Sequence, residues 1–217
     1  MTRVTMLERV AGVCGELVLR QVDGHCEVIA NGTFLMDTRD GASERLLVTA
    51  AAERMRAGGR MLIGGLGVGF SLRAALDQPN VGQVVVVERE RAVVDWNDTG
   101  GPLAPWHGDA LAEPAVTVRN ADLLEYLAGE PVFEAICLDI DNGPQWTVNE
   151  ENAALYTGSG LARLRRCLSG GGVLSVWSAA ADPGFERALR AEFAEVSVHE
   201  IPVPRGEPDV VYLAIAG

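Results

Sequence analysis

The sequence predicts a Rossmann-like α/β fold: a seven-stranded, mostly parallel sheet with helices on both faces, preceded by a small N-terminal β element. Three features carry this prediction. The stretch Arg60 to Glu88 reads as strand, glycine-rich turn, helix, strand and terminal acid, a βαβ unit of about 30 residues. Short apolar runs then alternate with helical patterns as far as Trp177. Two further strand-like runs, Val196 to Val203 and Val210 to Ile215, close the chain as an antiparallel pair.

In chain order, residues 15–37 read as β structure. Glu16 to Arg20 and Cys26 to Ala30 flank a turn at Val22-Asp23-Gly24, and Asn31-Gly32 turns the chain into Thr33 to Met36. Ser43 is positioned as the N-cap of a helix over Glu44 to Arg56, which Gly58-Gly59 ends. The division expected is a β element over 1–42 and an α/β domain over 43–217.

Met61, Leu62 and Ile63 form the first buried strand and run into Gly64, Gly65, Gly67 and Gly69. These glycines permit a sharp turn and close approach of backbone to a ligand. A helix starting near Phe70 aims its N-terminal amides at the same place. Glu88 ends the second strand, where a carboxylate can accept both hydroxyls of a ribose diol. An adenosine-type ligand is therefore expected.

A short helix over Arg91 to Asn97 and an irregular excursion over 98–114 follow, with Trp96, Trp106 and His107 in or beside the excursion. Val116 to Arg119 is the third strand. Asp122 then either caps the helical DLLEYL run or accepts the exocyclic amine of an adenine, and it can share both roles. The fourth strand, Ala135 to Leu138, delivers Asp139, Asp141 and Gly143-Pro144 to the carboxyl edge of the sheet, where open α/β sheets bind ligands. Asp139 is the favoured catalytic carboxylate, and Asp141 lies farther into the loop. Residues 150–168 carry helix signals interrupted by a glycine break at 158–160. Val173 to Trp177 is the fifth strand, and Phe185 to Phe193 an amphipathic helix.

Of the 217 residues, 48% are apolar, enough for the core of one domain with a small appendage. No apolar run reaches the ~18 residues of a membrane span, and MTRVTMLERV lacks the apolar core of a signal peptide. A cytoplasmic protein without a membrane partner is expected. The net charge of −12 argues against nucleic acid, whose phosphates require clustered Lys and Arg. It permits a cationic small-molecule substrate, although acidic surfaces also simply aid solubility. Cys14, Cys26, Cys137 and Cys167 lack CxxC spacing and read as buried free thiols, and the three histidines fit no ligand motif. No metal is expected. The sequence leaves room for a homodimer.

From about residue 16 to 200 the chain resembles the spermidine synthase (aminopropyltransferase) family of the class I S-adenosylmethionine-dependent transferase fold. The resemblance rests on Asn31-Gly32, Arg39-Asp40, Glu44, IGGLGVG at 63–69, Glu88, Asp122, Asp139, Gly143-Pro144 and Tyr156. It implies that Glu88 holds the ribose, that Asp122 holds the adenine amine and that Asp139 serves as base or orienter for the nucleophile. It also implies that Tyr156 lines the acceptor pocket as a second catalytic candidate. Trp146 and Asp141 join it as pocket candidates, with Trp146 equally readable as a lid or packing residue.

The sequence departs from the family at the donor's tail. The family motif GGGDGG is replaced by GGLGVG, so Gly67 stands where an aspartate holds the amine of a decarboxylated donor. Leu35 replaces a glutamine, Ala42-Ser43-Glu44 a longer donor- and polyamine-binding segment, and DIDNGP a loop two residues longer. Losing that acid favours ordinary S-adenosylmethionine, whose carboxylate it would repel, and hence methyl transfer to a small nucleophile. Aminopropyl transfer from the decarboxylated donor is the alternative, and non-catalytic adenosyl-ligand binding the alternative of another class. A nicotinamide-dependent enzyme fits less well, because Gly65, Gly67 and Gly69 are spaced GxGxG instead of GxGxxG.

Overall fold

The computed structural model describes residues 3–140, 142–147, 150–204 and 206–217. The expected site residue Asp141 lies outside them. The chain opens with an antiparallel meander of β1 (Val4–Gly12), β2 (Gly15–Val22), β3 (His25–Ala30) and β4 (Thr33–Asp37). Helix α1 (Ala42–Ala52) leads into the main sheet. There β5 (Gly59–Gly64), α2 (Phe70–Leu76), β6 (Val81–Glu88), α3 (Arg91–Asn97), β7 (Val116–Asn120), α4 (Leu123–Ala128) and β8 (Phe133–Leu138) alternate. Then come α5 (Gly158–Arg166), β9 (Leu168–Ser178), α6 (Pro183–Glu192), β10 (Glu195–Ile201) and β11 (Asp209–Ile215).

The main sheet has the order β10-β11-β9-β8-β5-β6-β7. Strands β5 to β9 pair in parallel, and β11 runs antiparallel to both β9 and β10. Successive side chains of a strand face opposite sides, and the two cores divide accordingly. Met61, Ile63, Val84, Val86, Ala135 and Cys137 pack under α1, α2, α3 and the N-terminal sheet. Leu62, Val85, Val87, Ile136 and Leu138 pack under α4, α5 and α6. The near-continuous apolar runs are explained by this two-sided burial.

Four local expectations are corrected. Strand β1 was not anticipated, because most of it is exposed, including Val4, Met6 and Leu7, so its sequence lacks a buried face. Ser43 does not cap α1: Gly41 does, and Ser43 is buried in the first turn, donating to Glu44 Oε2 at 3.0 Å. The loop before α1 is held by Asp40, whose Oδ1 accepts from the amides of Gly41 and Ala42 at 2.7 and 3.0 Å. The glycines at 158–160 are not a break but the first turn of α5, capped by Thr157. Gly160 is required there because a Cβ would lie 2.1 Å from the Ala154 carbonyl oxygen. Cys14 is exposed, whereas the other three thiols are buried.

Among the described residues, no helix is long and apolar enough to cross a membrane.

Candidate functional site

The glycine turn lies directly after β5. Gly65 has φ 87°, and a Cβ on it would lie 2.2 Å from the Asp139 carbonyl oxygen, so a side chain is excluded both by conformation and by space. The turn thus comes against the end of β8, and Asp139 is tied to it by its amide, which donates to the Gly64 carbonyl at 2.9 Å. Gly69 caps α2 in the left-handed region and packs against the His107 ring. Gly67 sits between Met36 of β4 and Asn97 of α3: Asn97 Nδ2 donates to the Gly67 carbonyl at 2.9 Å and to the Val93 carbonyl at 2.8 Å.

Asn97 and His107 were not expected to matter here. Both are buried and both brace the glycine turn from below. His107 Nδ1 accepts from the Ala110 amide at 3.1 Å, and burial pushes its pKa below the ordinary value. The excursion over 98–114 therefore supports the turn. Trp96 is buried with it, its indole N–H donating to Glu8 of β1 at 2.7 Å. Asn97→Ala is expected to cost about 1–3 kcal/mol, the scale of a buried hydrogen-bonding group left unpaired. A fall in the urea midpoint with an unchanged slope would register it.

Two clefts open at the carboxyl ends of the parallel strands and meet at Asp139, Ile140, Leu35, Met36 and Gly67, which line both. The smaller, about 140 Å³, is also lined by Gly65, Glu88, Arg89 and Asp122. Glu88 Oε2 accepts from the Leu66 amide at 2.9 Å and Oε1 from the Glu90 amide at 2.7 Å. A carboxylate has about four acceptor sites, so capacity remains beside these amides for a ligand. Burial pushes the Glu88 pKa above the usual carboxylate range, partly offset by these amides. Glu90 reaches across to the β1–β2 turn and accepts from the Val13 amide at 2.8 Å, which brings Cys14 and Leu17 to the cleft wall. Asp122 does cap α4, its Oδ1 accepting from the Glu125 amide at 3.1 Å, while Oδ2 lies 3.7 Å from Arg89 Nη1.

The larger cleft has a volume of about 530 Å³ and lies between β4, the start of α1, α2 and the ends of β8, β9, β10 and β11. Asp139 Oδ2 accepts from Ser71 Oγ at 2.9 Å. Burial, followed by repulsion from Glu44, raises the Asp139 pKa to about 7, with Ser71 opposing the shift and Asp209 and Glu88 adding to it. Glu44 is itself raised, first by burial, with Asp209 and Asp40 adding repulsion. Asp209 arrives from the far end of the chain. Because β11 is antiparallel, its first residue lies where β9 ends, with Val210 opposite Ser178. Among the described residues lining this cleft are Asp37, Asp40, Glu44, Asp139 and Asp209, and no Arg, Lys or His. Among the described residues no three His, Cys, Asp or Glu side chains are grouped to hold a metal ion.

Trp146 lines the larger cleft at its rim and is 62% exposed. Tyr156 is placed differently from the expectation. Its ring is buried in the core under α5 and α6, edge-on to Phe185 at 5.6 Å, and it is not among the described residues lining either cleft. The short 3₁₀ segment Glu150–Tyr156 feeds directly into α5, which turns the ring toward that core.

No family model matches the sequence. The chain is 30% identical over 156 residues to polyamine aminopropyltransferase 2 of Pseudomonas aeruginosa, an alignment covering 66% of this chain and 42% of that protein. It spans between 26% and 42% of the length of the curated relatives it matches, all named polyamine aminopropyltransferases. In structure it is similar to spermidine synthase in complex with the transition-state analogue AdoDATO, with a TM-score of 0.78, 16% identity and coverage of 98% of this chain and 74% of that one. It is also similar to human methyltransferase-like protein 13 in complex with SAH, with a TM-score of 0.63, 19% identity and coverage of 81% and 82%. At these identities the structures speak for the fold, and methyl transfer gains no support beyond it. In sequence the chain is similar to the polyamine aminopropyltransferases, and in structure it has the α/β fold of spermidine synthase.

Proposed function

We propose that this chain is a transferase that moves an aminopropyl group from decarboxylated S-adenosylmethionine to the amine of a polyamine-like acceptor. The observation that carries this reading is the sign of the larger cleft: carboxylates from α1, β8 and β11 converge, with no cation among its described lining residues. Gly67 removes one acid, but Glu44, Asp139 and Asp209 supply three from other elements. A tail ending in an ammonium is attracted there, whereas the carboxylate of ordinary S-adenosylmethionine would be repelled. The names of the curated relatives point the same way.

The smaller cleft suits the nucleoside. Glu88 keeps acceptor capacity for a ribose, Asp122 lines the cleft with Oδ2 not engaged by the α4 cap, and Gly65 leaves the backbone bare. Bound there, the donor supplies a sulfonium leaving group next to the carbon under attack. Asp139, shared by both clefts, is positioned to hold the attacking amine and to take its proton as the N–C bond forms and the C–S electron pair passes to sulfur. Ser71 fixes the carboxylate, and Glu44 and Asp209 hold the remaining ammonium groups.

Incubation with each donor in the presence of putrescine or spermidine, followed by mass spectrometry of the nucleoside and the amine, tests this. Methylthioadenosine and an aminopropylated amine are expected. S-adenosylhomocysteine with a methylated amine would replace the reading by methyl transfer. Nucleoside binding without turnover of either donor would leave a non-catalytic adenosyl-binding protein.

A further inference from the structure

We infer that Arg89 is an adenine-reading residue, its guanidinium donating to ring nitrogen N1 while Asp122 accepts from the N6 amine. The inference rests on the adenosyl reading of the smaller cleft. Arg89 follows Glu88 at the end of β6 and lines that cleft. Its Nη1 is buried and has no hydrogen-bond partner among the described residues. Asp122 Oδ2 and Glu151 Oε2 pair with Arg89 as ions, each 3.7 Å from a guanidinium nitrogen and too far for a hydrogen bond. A buried donor held just short of its neighbours is costly unless a ligand completes it.

The chemistry of the pair matches one nucleobase edge. Asp122 offers only an acceptor at Oδ2, because Oδ1 is engaged by the Glu125 amide. Arg89 can only donate. Adenine presents a donor at N6 beside an acceptor at N1, whereas hypoxanthine and guanine reverse both. The two strand ends that carry these side chains are also tied together. Asn120 Nδ2 donates to the carbonyls of Glu88 and Arg89, both at 2.9 Å, and the Ala121 amide donates to the Glu88 carbonyl at 3.1 Å. The ends of β6 and β7 are thereby stapled, one carrying Arg89 and the other leading to Asp122.

Calorimetry with methylthioadenosine, its 1-deaza analogue and its inosine counterpart tests the assignment. The natural chain is expected to bind methylthioadenosine about tenfold or more tighter than the 1-deaza analogue, the scale of one charged hydrogen bond. The inosine counterpart is expected to bind more weakly still, since both groups then mismatch. Arg89→Met is expected to lose about tenfold for methylthioadenosine and to bind the 1-deaza analogue within about threefold of the natural chain, so that the preference disappears. Equal binding of the first two ligands by the natural chain would overturn the inference without any variant. An undiminished preference in Arg89→Met would overturn it as well, and either result leaves the adenosyl reading standing. Failure of the natural chain to bind methylthioadenosine and S-adenosylhomocysteine would overturn both.

Discussion

Asp139→Asn is expected to slow transfer on the order of 100-fold or more, the scale of losing a general base, while nucleoside affinity changes by no more than about threefold. The split follows from where Asp139 sits, at the junction of the two clefts, with its carboxylate on Ser71 and its backbone on Gly64. The asparagine keeps the shape and can still accept from Ser71, so the glycine turn is undisturbed. It cannot take a proton. With a pKa raised to about 7, the native carboxylate is protonated at mildly acid pH and ionised above it, so kcat/KM is expected to rise with pH and to level off above about 7.

Stability moves in the opposite direction. The folded chain holds this proton more tightly than the unfolded chain, whose value is near 3.8. The contribution of Asp139 is therefore most favourable below that value and declines as pH rises through about 7. Asp139→Asn removes the titration. The variant is expected to be at least as stable as the natural chain at pH 8 and relatively less favoured at pH 5. Thermal unfolding at both pH values, set beside the transfer rate, separates loss of the base from loss of the fold. Full activity of the variant with a true acceptor would remove Asp139 from the mechanism.

Glu88→Ala is expected to weaken adenosyl-ligand binding by about 1.5–3 kcal/mol, roughly 10- to 150-fold in dissociation constant. Two effects contribute. The ribose hydroxyls lose their acceptor, and the amides of Leu66 and Glu90 lose theirs, which loosens the glycine turn on one side and the path to the β1–β2 turn on the other. Glu88→Gln separates them. Its amide oxygen can serve one of the two backbone amides, so it is expected to recover part of the thermal stability and less of the affinity. Calorimetry with methylthioadenosine and S-adenosylhomocysteine reads the affinity, and unchanged binding of both by Glu88→Ala would rule out the ribose role.

The βαβ signature was legible because its causes are local. Gly65 and Gly69 are needed for positive φ, the valines of β6 for a strand buried on both faces, and Glu88 simply ends that strand. The positions of Asp122 and Asp139 were legible for the same reason, since each lies just beyond the carboxyl end of a parallel strand. Tyr156 was misread because a family position does not say which way a ring turns, and the 3₁₀ segment before α5 sends it into the core. Gly67 was over-read in a related way. The absence of one acid from a loop says nothing about acids brought in by other elements.

By itself, the sequence determined the order of strands and helices in the main sheet, the sharp glycine turn and the acids at two strand ends, all through contacts between residues close in the chain. Only the tertiary structure decided the sign of the larger cleft. Asp209 lies 70 residues beyond Asp139, yet it meets the same cavity because β11 inserts antiparallel beside β9 and so begins where the parallel strands end. Glu44 reaches that cavity from α1, and Arg89 meets Asp122 because Asn120 staples two neighbouring strands. Such convergence depends on strand direction and pairing, which are set by burial of the whole sheet and by no local pattern.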